Sequence, residues 1–548
     1  MSADAYRGLD LKSRQMVVDT VRQLRKKLLN KENILAWDKD EVFPEPAIRQ
    51  MLGPGIGLQL VFIPEAYGGA GGGARDCCKV TEEMAKICLG VATGFFAVQL
   101  GTDPILVGAT PEQKERWLTR IADGDTLVAY AVTEPEAGSN LASLKTTAEP
   151  VTDANGTLTG YKITGNKQFI STGGYADLVT VLAHTPEGPS FFVVEKGMKG
   201  FVPQKGEEKH GIRASNTSPL SFDDVFVPIE NLVGGVPGKG LKQANVVFGY
   251  TRLMVASMAL GAGLAALEIA VPYARQRIQF GSPLSKKQGY THKLIVPNVV
   301  RLAAADAYID QVAHMLDSSE EDLQVEGSIG KYFTTESADR TANDCMQALG
   351  GYGYIRDFEV EKIKRDVKIT CIYEGTSEIQ QNIISTFRWK ASRKSKGQFY
   401  GAMADEMDAL AADVPDAGCR FYALAARALN QTIDLAHNNR LTRQQAIMFD
   451  LADMMTYVEV GVALARKAVR LEREKASDAE KFKAMARVFA GDVAHLVGEN
   501  ALRVAMCGEL DAQAANQHLA AIGHQEMLAA RSGWMADMDR IADIVFKR

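Results

Sequence analysis

Glu374 stands out by its neighbours. In Ile372-Tyr-Glu-Gly-Thr-Ser-Glu-Ile-Gln380 it follows an aromatic residue and precedes a glycine, a largely apolar context in which desolvation lifts a carboxyl toward the range a general base needs. The same residue could instead open a helix beside Thr376 and Ser377, where its charge would only favour the helix dipole. A second group of residues suits a phosphate-bearing ligand. Gly138 and Ser139, in Tyr130-Ala-Val-Thr-Glu-Pro-Glu-Ala-Gly-Ser-Asn140, permit close approach, and a further segment, Arg275-Gln-Arg-Ile-Gln-Phe-Gly281, is rich in side-chain donors. In Gly165-Asn-Lys-Gln-Phe-Ile-Ser-Thr-Gly-Gly174, strand alternation places Phe169 and Ser171 on one face. No Gly-x-Gly-x-x-Gly follows a strand, so a dinucleotide would not sit on a Rossmann unit. Seven cysteines, with only Cys77 and Cys78 adjacent, supply neither a disulfide framework nor a metal knuckle.

The elements that must position these residues belong to a soluble chain of several domains. Its 548 residues are roughly three to four typical domain lengths. Charged residues at 24% and hydrophobic ones at 46% exclude a disordered, collagen-like or membrane-embedded chain. The 62 basic and 67 acidic side chains leave a net −5, no field to draw in a nucleic acid. Unpaired cysteine usage fits a reducing compartment, and Met1 to Asn30 is charged and amphipathic with no export or transit signal, so a cytoplasmic location is expected. No window reaches the ~18 uncharged apolar residues of a spanning helix; Leu253 to Pro272 reads as a buried core helix.

Periodicity divides the chain into four regions. Residues 1–126 are α-helical, with Met16, Val17, Thr20, Val21 and Leu24 on an apolar face, interrupted by a glycine loop at Tyr67 to Gly73. Residues 127–240 carry short β-branched and aromatic runs between turns, a β domain read as a barrel or sandwich. Helical periodicity returns over 241–390, where Gly-Gly-Tyr-Gly at 350–353 alone reads as a helix C-cap. The tail, 391–548, holds one proline, Pro415, and nine glycines and reads as all-α. Phe489, Val493, Leu496 and Val497 form one apolar face there, and no internal repeat is visible, while helix-pair pseudo-symmetry between the last two regions stays open. The class is mainly α with a central β domain.

Five motifs in one order carry a family signature: the three segments at 130–140, 165–174 and 275–281, then Gln347-Ala-Leu-Gly-Gly-Tyr-Gly353 and the Glu374 segment. On them the chain resembles the acyl-CoA dehydrogenase family of flavoproteins over roughly residues 30–390. Its tail resembles the longer members, such as the very-long-chain acyl-CoA dehydrogenases. The resemblance implies FAD as cofactor and Glu374 as the base that removes the pro-R α-proton of an acyl-CoA while the β-hydride passes to flavin N5, with Gly375 beside it at the substrate. It implies that backbone groups of Tyr130, Val132 and Thr133 meet the flavin edge, that Gly138 and Ser139 lie at the ligand, and that Phe169 and Ser171 cover the ring; many relatives carry Trp and Thr at those two positions. Arg277, Gln279 and Phe280, with Gln288, Gln347, Gly350 and Gly351, match positions that reach the FAD of a neighbouring subunit, so a homo-oligomer, at least a dimer, is implied. Thr376 matches a further FAD position. Relatives that keep the base on another helix place it before an Arg; here that pair is Thr251-Arg252, where Thr cannot serve as the base, and the resemblance places both residues at the acyl-CoA, Arg252 alternatively forming an ion pair that holds two helices.

The resemblance also implies electron-transfer flavoprotein as the electron acceptor. It places the substrate pocket floor around Leu89 to Phe96, where Ala92 and Gly94 would lengthen the cavity and Phe95 or Phe96 would shorten it, with no Arg to receive a distal carboxylate. Thr386 stands where some relatives carry an Arg near CoA. Two alternatives stay open: an acyl-CoA oxidase, and a DNA-binding alkylation-response relative, against which the tail's 20 basic and 21 acidic residues argue. Arg393-Lys-Ser-Lys396 and Lys475 to Lys483 could meet anionic lipid or form a solvated face.

Overall fold

The computed structural model describes residues 8–318, 322–507 and 511–548; the first seven residues of the segment read as free of an export signal lie outside it. Six helices come first: α1 (Leu11–Leu24), α2 (Lys31–Asp40), α3 (Glu45–Leu52), α4 (Ala74–Ile87), α5 (Leu89–Gly108) and α6 (Pro111–Ala122). Polar caps fix their starts. Asp10 accepts from the Lys12 and Ser13 amides, Asn30 from that of Asn33, and Thr110 and Gln113 exchange bonds in a capping box. The buried stripe of α1 is Val18, Val21 and Leu24, whereas Met16 is 62% exposed, because the apolar run is longer than the stripe that meets α4.

The strands are β1 (Val128–Ala131), β2 (Thr147–Thr152), β3 (Leu158–Ser171), β4 (Leu178–Thr185), β5 (Gly188–Glu195), β6 (Phe201–Pro203) and β7 (Thr217–Pro228). They form a single sheet of order β1-β4-β2-β3-β7-β6, with β5 also paired to β4. Strands β1 and β2 run parallel to β4, and the other pairs are antiparallel. Tyr161, Ile163, Val181, Phe192, Val194 and Val225 are among the side chains of its core. Helix α5 lies directly on β1. A Cβ at Gly101 would come within 2.8 Å of the Ala129 nitrogen, so only glycine allows that approach, and the Thr180 hydroxyl donates to the Gly101 carbonyl at 2.9 Å.

Then come α7 (Gly240–Gln276), a two-residue hairpin of β8 (Ile278–Gln279) and β9 (Ser282–Pro283), α8 (Gln288–Tyr290), α9 (Val296–Ser318), α10 (Gln324–Ala348), α11 (Val360–Val367) and α12 (Ser377–Lys394). The tail adds α13 (Gln398–Asp413), α14 (Cys419–Asn438), α15 (Gln445–Arg473), α16 (Ala479–Cys507), α17 (Ala512–Ala521), α18 (His524–Met527) and α19 (Trp534–Phe546). Contacts gather the chain into two compact units, residues up to 262 with 313–324 and 365–370, and 263–312 with 325–364 and 371–548. The second unit therefore holds both the helices around Glu374 and the whole tail. Within it Arg388 of α12 is buried between Glu459 of α15, at 2.8 and 2.9 Å, and Glu326 of α10, at 2.6 Å.

Helices α5 and α7 are each long and apolar enough to cross a membrane, yet 89% and 78% of their most apolar windows are buried inside the protein. They are core helices, as read for Leu253 to Pro272. Two cations of the tail's basic segments are paired with acidic neighbours. Lys483 is caged by Asp416, Glu472 and Glu480 with 5% of its side chain exposed, and Arg393 pairs with Asp434.

Candidate active site

Glu374 sits on left-handed backbone, φ 56°, followed by Gly375 at φ 87°. A non-glycine residue held there costs roughly 1–2 kcal/mol, and such strain is a pointer to function. The helix-start alternative is taken by another residue: Thr376 is the N-cap of α12, its hydroxyl accepting from the Ile379 amide at 3.4 Å. Glu374 therefore projects from a loop ahead of the cap, half-buried. Two side chains, Lys331 outside every motif and Gln380 at the end of the Glu374 segment, hold that loop by its carbonyls. The Lys331 ammonium, buried in α10, donates to the Gly375 carbonyl at 2.6 Å, and the Gln380 amide donates to those of Glu374 and Gly375 at 3.0 and 2.9 Å. Ser377 adds a bond to Glu336 at 2.5 Å.

The loop leaves no room for a side chain at 375. A Cβ there would lie 2.7 Å from the Gln380 amide nitrogen. Gly375→Ala is expected to cost roughly 1–2 kcal/mol through its left-handed backbone and to slow turnover by pushing the Gln380 amide off both carbonyls. Thermal unfolding and steady-state rates on the same preparation check both effects.

In the first unit, the residues read as a flavin face gather around β1 and the end of β3. The Tyr130 ring lies 5.7 Å from Phe191 and 6.2 Å from Phe248 of α7, and the Arg252 guanidinium stands 6.0 Å from the same Phe248 ring. Thr251 and Arg252 are both 6% exposed. Tyr130 and Arg252, read as flavin and substrate neighbours, thus share one aromatic partner. Phe169 does not follow strand alternation. The pairing slips from Lys167↔Leu220 to Ile170↔Ser218, a bulge, and Phe169 has φ 60° with its side chain 62% exposed. Ser171 closes the strand opposite Thr217. Gly138 and Ser139 are exposed, and a Cβ on Gly138 would meet nothing within 4 Å. The Thr133 carbonyl accepts from the Gln168 amide at 2.9 Å, and the Val132 carbonyl from the Lys167 ammonium at 3.1 Å.

Lys167 is completely buried and also bonds Glu134 at 2.8 Å, while Glu134 accepts from the Lys145 and Thr146 amides at 2.7 and 3.0 Å. Burial pushes the ammonium down to about 8 against the pull of the carboxylate. Burial also acts to raise the Glu134 carboxyl, but Lys167 and the two amides outweigh it and hold the group below its ordinary range. Attraction prevails at the carboxylate and desolvation at the ammonium because the lysine is the more completely enclosed of the two.

In the second unit, Arg277, Gln279, Gln347, Gly350 and Gly351 line one cavity of about 480 Å³ with Tyr273 and Tyr352. Gly350 has φ 60°, and a Cβ on either glycine would meet nothing within 4 Å, so their peptides stay open to a ligand. A cation, two amides and exposed peptides suit the phosphates of a dinucleotide, so the residues of this cavity fit that part of FAD. The run at 350–354 is a short 3-10 helix rather than a bare cap. Three residues read with this set lie elsewhere. Phe280 is 96% exposed at φ 49°, Gln288 donates to Asp539 of α19 at 3.2 Å, and Thr376 caps α12.

The expected substrate-pocket cues also change. Gly94 opens no space, since the Phe43 ring already stands 3.0 Å from where its Cβ would be, and Phe95 is buried edge-on to Phe62 and Phe96.

Comparison with known proteins bears on all three regions. The family models described as acyl-CoA dehydrogenase N-terminal, middle and C-terminal domain match residues 12–125, 129–225, and 238–387 with 407–509. The C-terminal domain model thus extends into the tail, a relation that the residue pattern does not display. An acyl-CoA dehydrogenase of Bacillus subtilis is 39% identical over 64% of this chain and 91% of its own length. An acryloyl-CoA reductase (NADH) of Anaerotignum propionicum is 37% identical over 64% of this chain and 87% of its own length. The solved structure of an acyl-CoA dehydrogenase complexed with FAD from Bacillus anthracis shares the fold over 100% of this chain and 97% of its own, with a TM-score of 0.86 at 23% identity. With every domain of the family matched in order, this chain belongs to the acyl-CoA dehydrogenases, FAD-dependent oxidoreductases acting on CH–CH groups.

Proposed function

We propose that the protein oxidises a fatty acyl-CoA to its trans-2-enoyl-CoA, with Glu374 as the base, and hands the electrons to an electron-transfer flavoprotein. The observation that carries this reading is the placement of Glu374 on left-handed backbone in a loop that Lys331 and Gln380 grip by its carbonyls, two residues ahead of the Thr376 cap of α12. An α-proton beside a thioester carbonyl is too weakly acidic for a solvated carboxylate, so the base must be partly desolvated and aimed. The Glu374 carboxylate takes that proton as the α-carbon–hydrogen bond breaks; the β-hydrogen leaves as hydride with its electron pair, and the carbon–carbon double bond forms. Bound FAD supplies the two-electron acceptor. Tyr130, Val132, Thr133, Phe169 and Ser171 would hold its ring, while Arg277, Gln279, Gln347 and the Gly350–Gly351 peptides would meet the phosphates of the FAD bound by a neighbouring subunit.

A homodimer follows from the same set. Phe280, Ile278 and Tyr354, 96, 60 and 82% exposed, lie in or beside the segments that line the phosphate cavity, an apolar rim suited to a second copy. The cytoplasmic reading rests on seven cysteines, six of them buried, whose number and spacing supply no disulfide framework. The test is an anaerobic screen of the holoenzyme against acyl-CoAs from C4 to C20, with branched and cyclic members included. Bleaching of the flavin by a straight-chain subset is expected. A flavin that no acyl-CoA bleaches overturns the reading, and rapid peroxide release in air would assign an oxidase instead.

A further inference from the structure

We propose that the tail positions the base: Asp453 of α15 sets the two helices that hold the Glu374–Gly375 peptides. This rests on Glu374 being the base, and it goes beyond that reading by giving the extension a part in the reaction.

The geometry turns on two pairs of adjacent residues. Lys331 of α10 and Gln380 of α12 donate to the loop carbonyls. Their immediate successors, Tyr332 and Gln381, both donate to one oxygen of Asp453, each at 2.8 Å. Consecutive helical residues point about 100° apart. One turn of α10 and one turn of α12 therefore each present one side chain to the loop and the next to the tail. Any slide or rotation of either helix that broke the Asp453 bonds would carry Lys331 or Gln380 with it.

A second clasp lies about two turns away. Arg388, seven residues after Gln381, joins Glu459, six residues after Asp453, to Glu326, six residues before Tyr332. The three helices are thus tied at two levels. The Arg388 level fixes their spacing far from the loop, and the Asp453 level adjoins it. A base displaced by about 1 Å can lose on the order of a hundredfold in rate, so the bonds nearest the loop matter most for the reaction.

The experiment compares Asp453→Ala with Asp453→Asn in the full-length holoenzyme, using the acyl-CoA that bleaches the flavin fastest. Asp453→Ala removes the single acceptor of both bonds; the Asn amide oxygen keeps it. The limiting rate of anaerobic flavin reduction is expected to fall about tenfold or more in the alanine variant, with FAD content and acyl-CoA affinity unchanged and the α-deuterium isotope effect increased. The asparagine variant should stay within about twofold of the parent. Arg487→Ala, which breaks a pair with Asp537 wholly inside the tail, controls for general loosening and should leave the rate unchanged. A parental rate in Asp453→Ala, or equal slowing in Arg487→Ala, overturns the proposal. Should the alanine variant fail to fold, Tyr332→Phe removes one of the two bonds, and a parental rate there overturns it equally. Glu374→Gln separates the two levels: if it is inactive while Asp453→Ala is normal, only the positioning role fails, whereas a normal Glu374→Gln removes the reading beneath it.

Discussion

Glu374→Gln is expected to lower kcat by about 10²- to 10⁴-fold, the range that a positioned general base contributes, while the purified protein stays yellow. The substitution keeps the length and planarity of the side chain. The Lys331 and Gln380 bonds go to the carbonyls of residues 374 and 375, so both keep their grip in the variant. What is lost is the group that accepts the α-proton. A loss confined to kcat, with acyl-CoA affinity retained, marks an interaction made only in the transition state. Stopped-flow reduction of the flavin under argon measures it directly, and a variant that reduces its flavin at the parental rate would remove Glu374 from the reaction.

How much of the fold and of the site is legible in the sequence depends on whether the information is local. The order of motifs, the β region between two helical ones and the all-α tail are patterns of neighbouring residues, and the sheet and helices follow them. The clustering of Arg277, Gln279, Gln347, Gly350 and Gly351 around one cavity joins segments about seventy residues apart, and it was anticipated through family resemblance rather than spacing. The bulge at Phe169 was invisible because alternation assumes an unbroken ladder. Gly94 looked like free space, yet Phe43, 51 positions away in the chain, fills it. Lys331 and Asp453 act through bonds to residues 44 and 121 positions distant, and neither sits in a motif. The relation of the tail to the family's C-terminal domain was hidden because helices keep their apolar periodicity while the residues that carry it drift.

Lys167 is the plainest case of a residue passed over. It lies inside a quoted motif, and a lysine in a strand ordinarily faces solvent, yet its side chain is fully buried against a Glu134 that is 4% exposed. Its ammonium ties the Val132 carbonyl at the end of β1 to the carboxylate that also anchors the Lys145 and Thr146 amides. One cation thus closes the loop that carries Gly138 and Ser139. Lys167→Met keeps most of the volume and strands the carboxylate, and breaking a buried pair from one side costs roughly 3–5 kcal/mol. The variant is expected to lose that much stability and to be purified with little FAD. Lys167→Met combined with Glu134→Gln removes both charges and should recover a large part of the loss, since the two effects are coupled. The pH dependence supplies an independent sign. With the buried ammonium at about 8 against an ordinary 10.5, the unfolded chain binds more protons between those values, so parental stability rises with pH across that window and is insensitive to this group below it. Glu134, held below its ordinary 4.5, contributes stability that is present above that pH and lost on acidification through the folded value. Denaturation curves from pH 7 to 10.5 should therefore show an alkaline gain in the parent that is missing from Lys167→Met; the same gain in both proteins would mean that Lys167 is not the group responsible.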